Sequence, residues 1–131
     1  MINIYNTNKS KIILIKKGNK CNLGPIKVAN SYFSRLKGLM FKNDIDYILL
    51  LTTQKNRYWL KSSIHTFFMK FTIDVLFLDE NKRILEIATI PPWKIYSPKN
   101  SSKYILEMKE GYASEYNLNV GDKLDFSSEF K

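Results

Sequence analysis

The sequence predicts a mainly β, α+β fold: a compact antiparallel β-barrel-like or two-layer domain with one main helix and one short helix. Short apolar runs rich in Ile, Val, Tyr and Phe recur along the chain and end at Gly, Pro, Asn, Asp or Lys, as half-buried strands do. Only one segment has the three- and four-residue apolar spacing of a full helix. The 131 residues, 44% of them hydrophobic, suffice for a single domain, 1–131, with one core.

The predicted elements follow one another with short turns between them. Early strands are predicted at 2–5, 11–16 and 26–29, with a turn at 17–20 and a loop at 24–25. The main helix is predicted over 31–40, after a cap at Asn30 or Ser31. Later strands are predicted at 47–51, 57–60, 64–79, 83–90 and 103–109, with a hairpin turn at 79–82 and a loop at 93–102. A short helix or turn at 111–118 and a final strand within 120–126 complete the chain.

Charge and cysteine content limit the function classes. The formal net charge is +9, which favours an anionic partner, although lysine accounts for most of the excess. One cysteine, Cys21, and one histidine exclude a disulfide scaffold and a structural zinc site. The sequence has no Gly-rich phosphate loop and no metal-spaced cluster of His or carboxylates, so no metal and no cofactor are expected. No apolar run is long enough for a signal-peptide core or a membrane span. We therefore expect a cytoplasmic protein without a membrane partner.

His65 begins a long apolar stretch and is the first candidate site residue. If 64–79 forms one unbroken strand, alternation places His65 at the end of an apolar stripe. It is then either a histidine at the edge of the core or a site residue at a cavity mouth. The second interpretation rests on the ability of imidazole to titrate near neutral pH.

Five further residues are candidates because of their chemical surroundings. Asp74 and Glu107 lie among apolar neighbours, where an unpaired carboxylate is costly, so each needs a partner. Arg35 is one of three arginines, and its guanidinium suits a carboxylate inside the fold or an anionic ligand. Trp93 and Lys94 follow a double proline and form either a ligand rim or a lid over the end of the barrel.

Three blocks of sequence, taken together, resemble the domain of unknown function 192 family. They are RLKGLM at 35–40, IHTFFMKFTIDVLFLD at 64–79, and a last set formed by PWK at 92–94, LE at 106–107 and VGDKL at 120–124. The likeness covers about residues 25–126 and implies a compact, mostly β, barrel-like prokaryotic domain with no established reaction. The resemblance marks as positions of the family pattern Arg35, Gly38, His65, Met69, Asp74, Trp93, Glu107, Gly121 and Asp122.

These observations favour a non-catalytic binding or interaction domain with a polar pocket. His65, Trp93 and Lys94 would line the pocket, with Arg35 and Asp74 behind them. A small anionic molecule or another protein is the expected partner. Two alternatives stay open. One is an enzyme that uses His65 as general acid or base, oriented by Asp74. The other is single-stranded nucleic-acid binding through the basic aromatic surface.

Overall fold

The computed structural model describes residues 11–16, 19–29, 39–52 and 63–126. The strands within these ranges are β1 (Lys11–Lys16), β2 (Asn19–Ala29), β3 (Ile48–Thr52), β4 (Ile64–His65), β5 (Ile73–Leu78), β6 (Ile84–Ile90), β7 (Ile95–Tyr96), β8 (Tyr104–Lys109) and β9 (Lys123–Asp125). A short helix, α1 (Tyr112–Glu115), lies between β8 and β9. The described part of the chain is mainly β, as its apolar runs predict.

Seven strands form one curled sheet in the order β6-β5-β8-β3-β2-β1-β9, and β4 pairs with β7 in a two-stranded ribbon. Neighbouring strands are antiparallel except β2 and β3, which run parallel. The two edges of the large sheet meet where Ile84 N donates to Asp122 O at 2.9 Å and Leu124 N donates to Lys82 O at 3.0 Å. The β6–β9 contact is one isolated bridge, so the described sheet is barrel-like but not closed.

Apolar side chains cover both faces of the large sheet. The inner cluster lies where the curled sheet meets the residues from α1 to the end of β9. Its members include Leu76, Leu106, Met108, Leu118 and Phe126. The outer cluster lies on the opposite face, against the ribbon and the turns that precede β3 and β5. Its members include Leu39, Leu49, Met69, Val75 and Phe77. Alternate residues of β5 point into the two clusters, so all six are buried and its sequence is almost continuously apolar.

The β5–β6 hairpin confirms the turn predicted at 79–82. Asp79 Oδ1 accepts hydrogen bonds from Asn81 N at 2.8 Å and from Arg83 N at 3.0 Å, so this side chain stabilises the turn. β1, β3, β6, β8, α1 and β9 also fall on segments where the sequence predicts strands and a short helix.

The hairpin predicted at 17–20 is confirmed by the antiparallel pairing of Lys16 with Asn19, although β2 begins earlier than predicted. Two predicted loops are wrong in detail. Gly24 and Pro25 lie inside β2 rather than in a loop, and Gly24 has a φ of 124° beside a register shift against β1. The shift is a β-bulge, which is the irregularity that a glycine within a strand indicates. β2 already starts at Asn19, inside the predicted turn 17–20, and β7 forms inside the loop predicted at 93–102.

The single strand predicted over 64–79 is also wrong. β4 ends at His65 and β5 begins at Ile73, with turns between them, and Phe68 has a φ of 63° that no strand residue adopts. His65 therefore belongs to the ribbon and does not continue the apolar stripe of β5. The physical cause is a set of hydrogen bonds between Thr66 and the segment after β6.

Some predictions fall on other parts of the chain. The strands predicted at 2–5 and 57–60, and the main helix as far as residue 38, lie outside the described residues. Leu39, the next residue, is in a turn and packs in the outer cluster. Within the described ranges, no helix has the length and apolar character needed to cross a membrane.

Candidate binding surface

Thr66 joins the segment after β4 to the segment between β6 and β7. Its side chain is buried, and its hydroxyl donates to Pro91 O at 2.6 Å and accepts from Lys94 N at 2.9 Å. Its backbone N donates to Lys94 O at 2.8 Å, and its backbone O accepts from Trp93 N at 2.9 Å. Because these four hydrogen bonds join Thr66 to residues 91–94, Thr66 fixes the position of one segment relative to the other.

Replacing Thr66 by valine is expected to lower the free energy of unfolding by about 2 kcal/mol, because Lys94 N–H and Pro91 C=O lose their partner next to a side chain of the same shape. Thr66→Ser keeps the hydroxyl and is the matched control, with a smaller expected cost. Urea denaturation measures both. Equal losses in the two variants would mean that the methyl group, and not the hydroxyl, holds the segments together.

Five aromatic rings on and beside these segments form a continuous chain of contacts, called here the aromatic row. In order, the rings belong to His65, Phe67, Trp93, Phe68 and Phe41. Successive ring centroids are 5.1, 6.1, 4.7 and 5.3 Å apart. The exposed fraction is 64% for Phe41, 45% for Phe68 and 57% for Trp93. Contiguous exposed apolar surface of this kind marks a site of interaction more often than a structural feature.

The three exposed rings of the row share an unusual backbone conformation. φ is 65° at Phe41, 63° at Phe68 and 64° at Trp93. Bulky L-residues avoid this left-handed region, and each instance costs on the order of 1–3 kcal/mol. Hydrogen bonds compensate, since Phe41 N donates to Phe68 O at 2.9 Å and Trp93 N is held by Thr66. The strain lies at residues whose side chains face solvent, where it stabilises no core.

His65 lies on the outward face of the ribbon. β4 and β7 pair Ile64 with Tyr96 and His65 with Ile95. Ile64 and Tyr96 pack against the outer cluster, so the other pair faces away from the large sheet. Nδ1 of His65 accepts a hydrogen bond from Phe67 N at 3.2 Å, so the neutral ring carries its proton on Nε2.

Tyr96 anchors the ribbon on the large sheet. Its ring stacks on Phe77 with 5.7 Å between centroids, and its hydroxyl donates to Glu86 Oε2. The pKa of Tyr96 is raised to about 12, chiefly by this hydrogen bond and secondly by burial. The phenol therefore keeps its proton and its bond to Glu86 throughout the physiological pH range.

Asp74 stabilises the fold on the side of the sheet away from His65. The residue is only 3% exposed, and Oδ1 accepts a hydrogen bond from Thr89 Oγ1 at 2.8 Å. Oδ2 accepts from Gly111 N at 3.0 Å and from Ala113 N at 3.1 Å. The β8 partner of Asp74 belongs to the inner cluster, so the carboxylate lies on that face. Asp74 fixes the start of α1 against β5 and β6 and does not orient the imidazole of His65.

Glu107 lies on the opposite face of the same sheet. Its neighbours on the adjoining strands are Leu49 and Val75, both members of the outer cluster. The residue is 7% exposed, and no hydrogen bond or ion pair joins its carboxyl group to another residue in the described ranges. Burial therefore raises the pKa of Glu107 to about 7. Asp74 and Glu107 do not form a shared polar floor.

Three of the six candidate residues come together. His65 and Trp93 belong to the aromatic row, and Lys94 is held beside them through Thr66. Asp74 lies on the inner face of the large sheet, away from this group, and Glu107 lies on the outer face among apolar side chains. Arg35 lies outside the described residues.

Sequence reasoning missed three members of the row, Phe41, Phe67 and Phe68. One signal was present in the sequence. On a continuous strand, Phe68 would share its face with Lys70 and Asp74, whereas a half-buried strand keeps large aromatic residues on its apolar face. The misplaced aromatic residue marks the turn that interrupts the predicted strand.

Comparison with known proteins identifies relatives over most of the chain. Residues 13–126 match the model of the family described as Uncharacterized ACR, domain of unknown function 192. A UPF0127 protein of Pyrococcus horikoshii is 40% identical over 104 residues, which cover 77% of this chain and 86% of the relative. A UPF0127 protein of Thermococcus sibiricus is 34% identical over 118 residues, covering 90% of this chain and 76% of the relative.

Two crystal structures share the fold. A protein of Sinorhizobium meliloti superimposes with a TM-score of 0.82 at 21% identity, covering 96% of this chain and 98% of the other. A protein of unknown function from Novosphingobium aromaticivorans gives a TM-score of 0.76 at 16% identity, covering 88% and 83% of the two chains. At this level of identity the likeness concerns the arrangement of the strands and not the chemistry of a site.

Proposed function

The chain belongs to the domain of unknown function 192 family, and we propose that it is a non-catalytic binding domain whose partner contacts the aromatic row. One observation carries the proposal. Phe41, Phe68 and Trp93 are exposed, and the ring of Phe68 contacts the rings of the other two. All three residues are held in the left-handed backbone region. A partner that covers these rings would recover the hydrophobic free energy that their exposure forgoes.

The exposed rings and their strained backbone do not stabilise the isolated domain. Strained backbone persists where surrounding structure fixes it, and it concentrates at functional sites. Here the fixing structure is the hydrogen-bond set of Thr66 together with the bond from Phe41 N to Phe68 O. The result is a rigid surface, which reduces the conformational entropy lost on binding.

The geometry gives the catalytic alternative less support. A general acid or base needs an orienting group and a nearby reacting atom. The contact that orients His65 is the backbone N–H of Phe67, and the carboxylate of Asp74 is engaged by Thr89, Gly111 and Ala113. Half-buried His65 at one end of the row is better suited to contribute a polar contact to a bound partner.

Site-specific photocrosslinking in cells of the source organism tests the proposal. A benzophenone amino acid at position 94, beside the row, is expected to yield discrete adducts. The same group at position 123 is the matched control, because Lys123 is also exposed but lies on β9, at the other end of β6. Phe68→Ala should abolish the adducts at position 94 while costing less than about 1 kcal/mol of stability. Equal adducts at both positions, or no adduct to either protein or lipid at position 94, would refute the proposal.

A further inference from the structure

We propose that the partner of the aromatic row is the surface of an anionic lipid bilayer, with Phe41, Phe68 and Trp93 inserted at the interface and lysines at the headgroups. The inference rests on the proposed function, since it names the partner of the same surface. Aromatic side chains favour the bilayer interface, and basic residues beside them are attracted to anionic headgroups.

The charge around the row fits an anionic surface. Lys42, Lys70 and Lys94 each lie within two residues of one of the exposed rings, and Lys70 and Lys94 are exposed. Lys70 Nζ donates to Asn43 Oδ1 at 3.3 Å, which places its ammonium group beside the turn that carries Phe41. The nearest exposed acid in sequence is Asp44, three residues from Phe41. The local excess is positive, as is the net charge of +9 over the chain.

Several backbone groups of the segments that carry the exposed rings already have hydrogen-bond partners. Phe41 N donates to Phe68 O, and Trp93 N donates to Thr66 O, both at 2.9 Å. Lys94 N donates to the Thr66 hydroxyl, also at 2.9 Å. An ordinary surface turn leaves such groups to water, and moving it into an apolar medium would cost several kcal/mol per group. The three paired N–H groups can enter the interface without that cost.

The arrangement of the rings fits a bilayer better than it fits stacked bases. Neighbouring rings are tilted by 36° for Phe41 and Phe68, 57° for Phe68 and Trp93, and 41° for Phe67 and Trp93. Such rings offer one continuous apolar surface, whereas nucleotide stacking uses separate ring faces with a base on each. A second copy of the chain fits less well, because a symmetric contact would oppose the same lysines in a molecule of charge +9.

A membrane span or a signal-peptide core needs one long continuous apolar run. The row is assembled from three short segments, around Phe41, Phe68 and Trp93, and none of them forms such a run. The fold brings them together through Thr66. A surface that lies on a bilayer requires this assembly and needs no spanning segment.

Vesicle binding with Trp93 as reporter tests the inference. The chain has two tryptophans, so Trp59→Phe leaves Trp93 as the single emitter. Vesicles of phosphatidylcholine containing about one third phosphatidylglycerol should shift its emission to the blue, and brominated acyl chains should quench it. The affinity for vesicles of pure phosphatidylcholine should be lower by a factor of about ten or more. Binding to the anionic vesicles should fall as salt is added, because the lysine contribution is screened.

Sedimentation of the folded variants with anionic vesicles separates the contributions. Phe68→Ala should weaken binding about tenfold. Lys70→Gln and Lys94→Gln should weaken it about fivefold each. Val120→Ala and Lys123→Gln are matched controls at the other end of β6, where Val120 is 64% exposed, and they should bind as the parent chain does.

Distinct outcomes separate this inference from the proposed function. Unquenched Trp93, equal binding to neutral vesicles, or tighter binding to oligothymidine or polyglutamate than to anionic vesicles would overturn the bilayer as partner. If position 94 still gives specific adducts with protein in cells, the proposed function is supported and the bilayer is refuted as the partner. If position 94 gives no specific adduct and vesicles do not bind, both the proposed function and the bilayer as partner are refuted.

Discussion

Replacing Asp74 by alanine is expected to lower the free energy of unfolding by about 3 kcal/mol. The carboxylate is buried and accepts three hydrogen bonds, two of them from the backbone N–H groups of Gly111 and Ala113 at the start of α1. Truncation leaves these donors without their acceptor, at roughly 1–3 kcal/mol for each donor that water cannot reach. Urea denaturation followed by circular dichroism measures the loss.

Asp74→Asn is the decisive control because its amide can reproduce the whole pattern. The side-chain oxygen can accept from Gly111 N and Ala113 N, while the NH2 group donates to the Thr89 hydroxyl, which rotates to accept. We expect a loss of about 1 kcal/mol for asparagine and below about 1 kcal/mol for Thr89→Val. A loss in the asparagine variant as large as in the alanine variant would show that the negative charge itself is needed.

Local signals in the sequence predict most of the described elements. The β5–β6 hairpin follows from the turn residues at 79–82, because Asp79 binds backbone N–H groups within four positions of itself. β8 and α1 follow in the same way from a short apolar run and the glycine after it. In each case the interactions that define the element lie within a few residues of one another.

The break between β4 and β5 depends on interactions that are distant in sequence. Thr66 binds Pro91, Trp93 and Lys94, which lie 25 to 28 positions further along the chain. Nothing within 64–79 reports these partners, so the apolar spacing alone predicts one long strand. Phe41, Phe67 and Phe68 were missed as site residues for the same reason, because the rings of the aromatic row come from three segments that only the fold brings together.

The relation between the two buried carboxylates also depends on strand register. β5 and β8 pair Asp74 with Met108 and Val75 with Glu107, which places the two acids on opposite faces. Sequence alone shows that each acid needs a partner, but a shift of one residue in register would reverse the face of either. The sequence therefore identifies both residues as unusual and leaves their surroundings undetermined.

The second large effect is expected at Glu107. Burial raises its pKa in the folded protein from 4.5 to about 7. Between these values the folded state retains a proton that the unfolded state has lost, so the free energy of unfolding falls as pH rises through this window. Glu107→Gln removes the titration. The free energy of unfolding of the variant minus that of the parent should be about 3 kcal/mol larger at pH 8 than at pH 4. A tenfold change in proton affinity corresponds to about 1.4 kcal/mol.

The informative quantity is the change with pH in the difference in free energy of unfolding between variant and parent, and not the size of that difference at one pH. Any change in packing caused by the amide is the same at every pH and cancels when the two curves are compared. Glu110→Gln is the matched control, because Glu110 follows β8 and is exposed, so its curve should run parallel to that of the parent. A parallel curve for Glu107→Gln as well would mean that the ionised carboxylate is stabilised in the fold. It would contradict the placement of Glu107 among Leu49, Val75 and the other apolar side chains of the outer cluster.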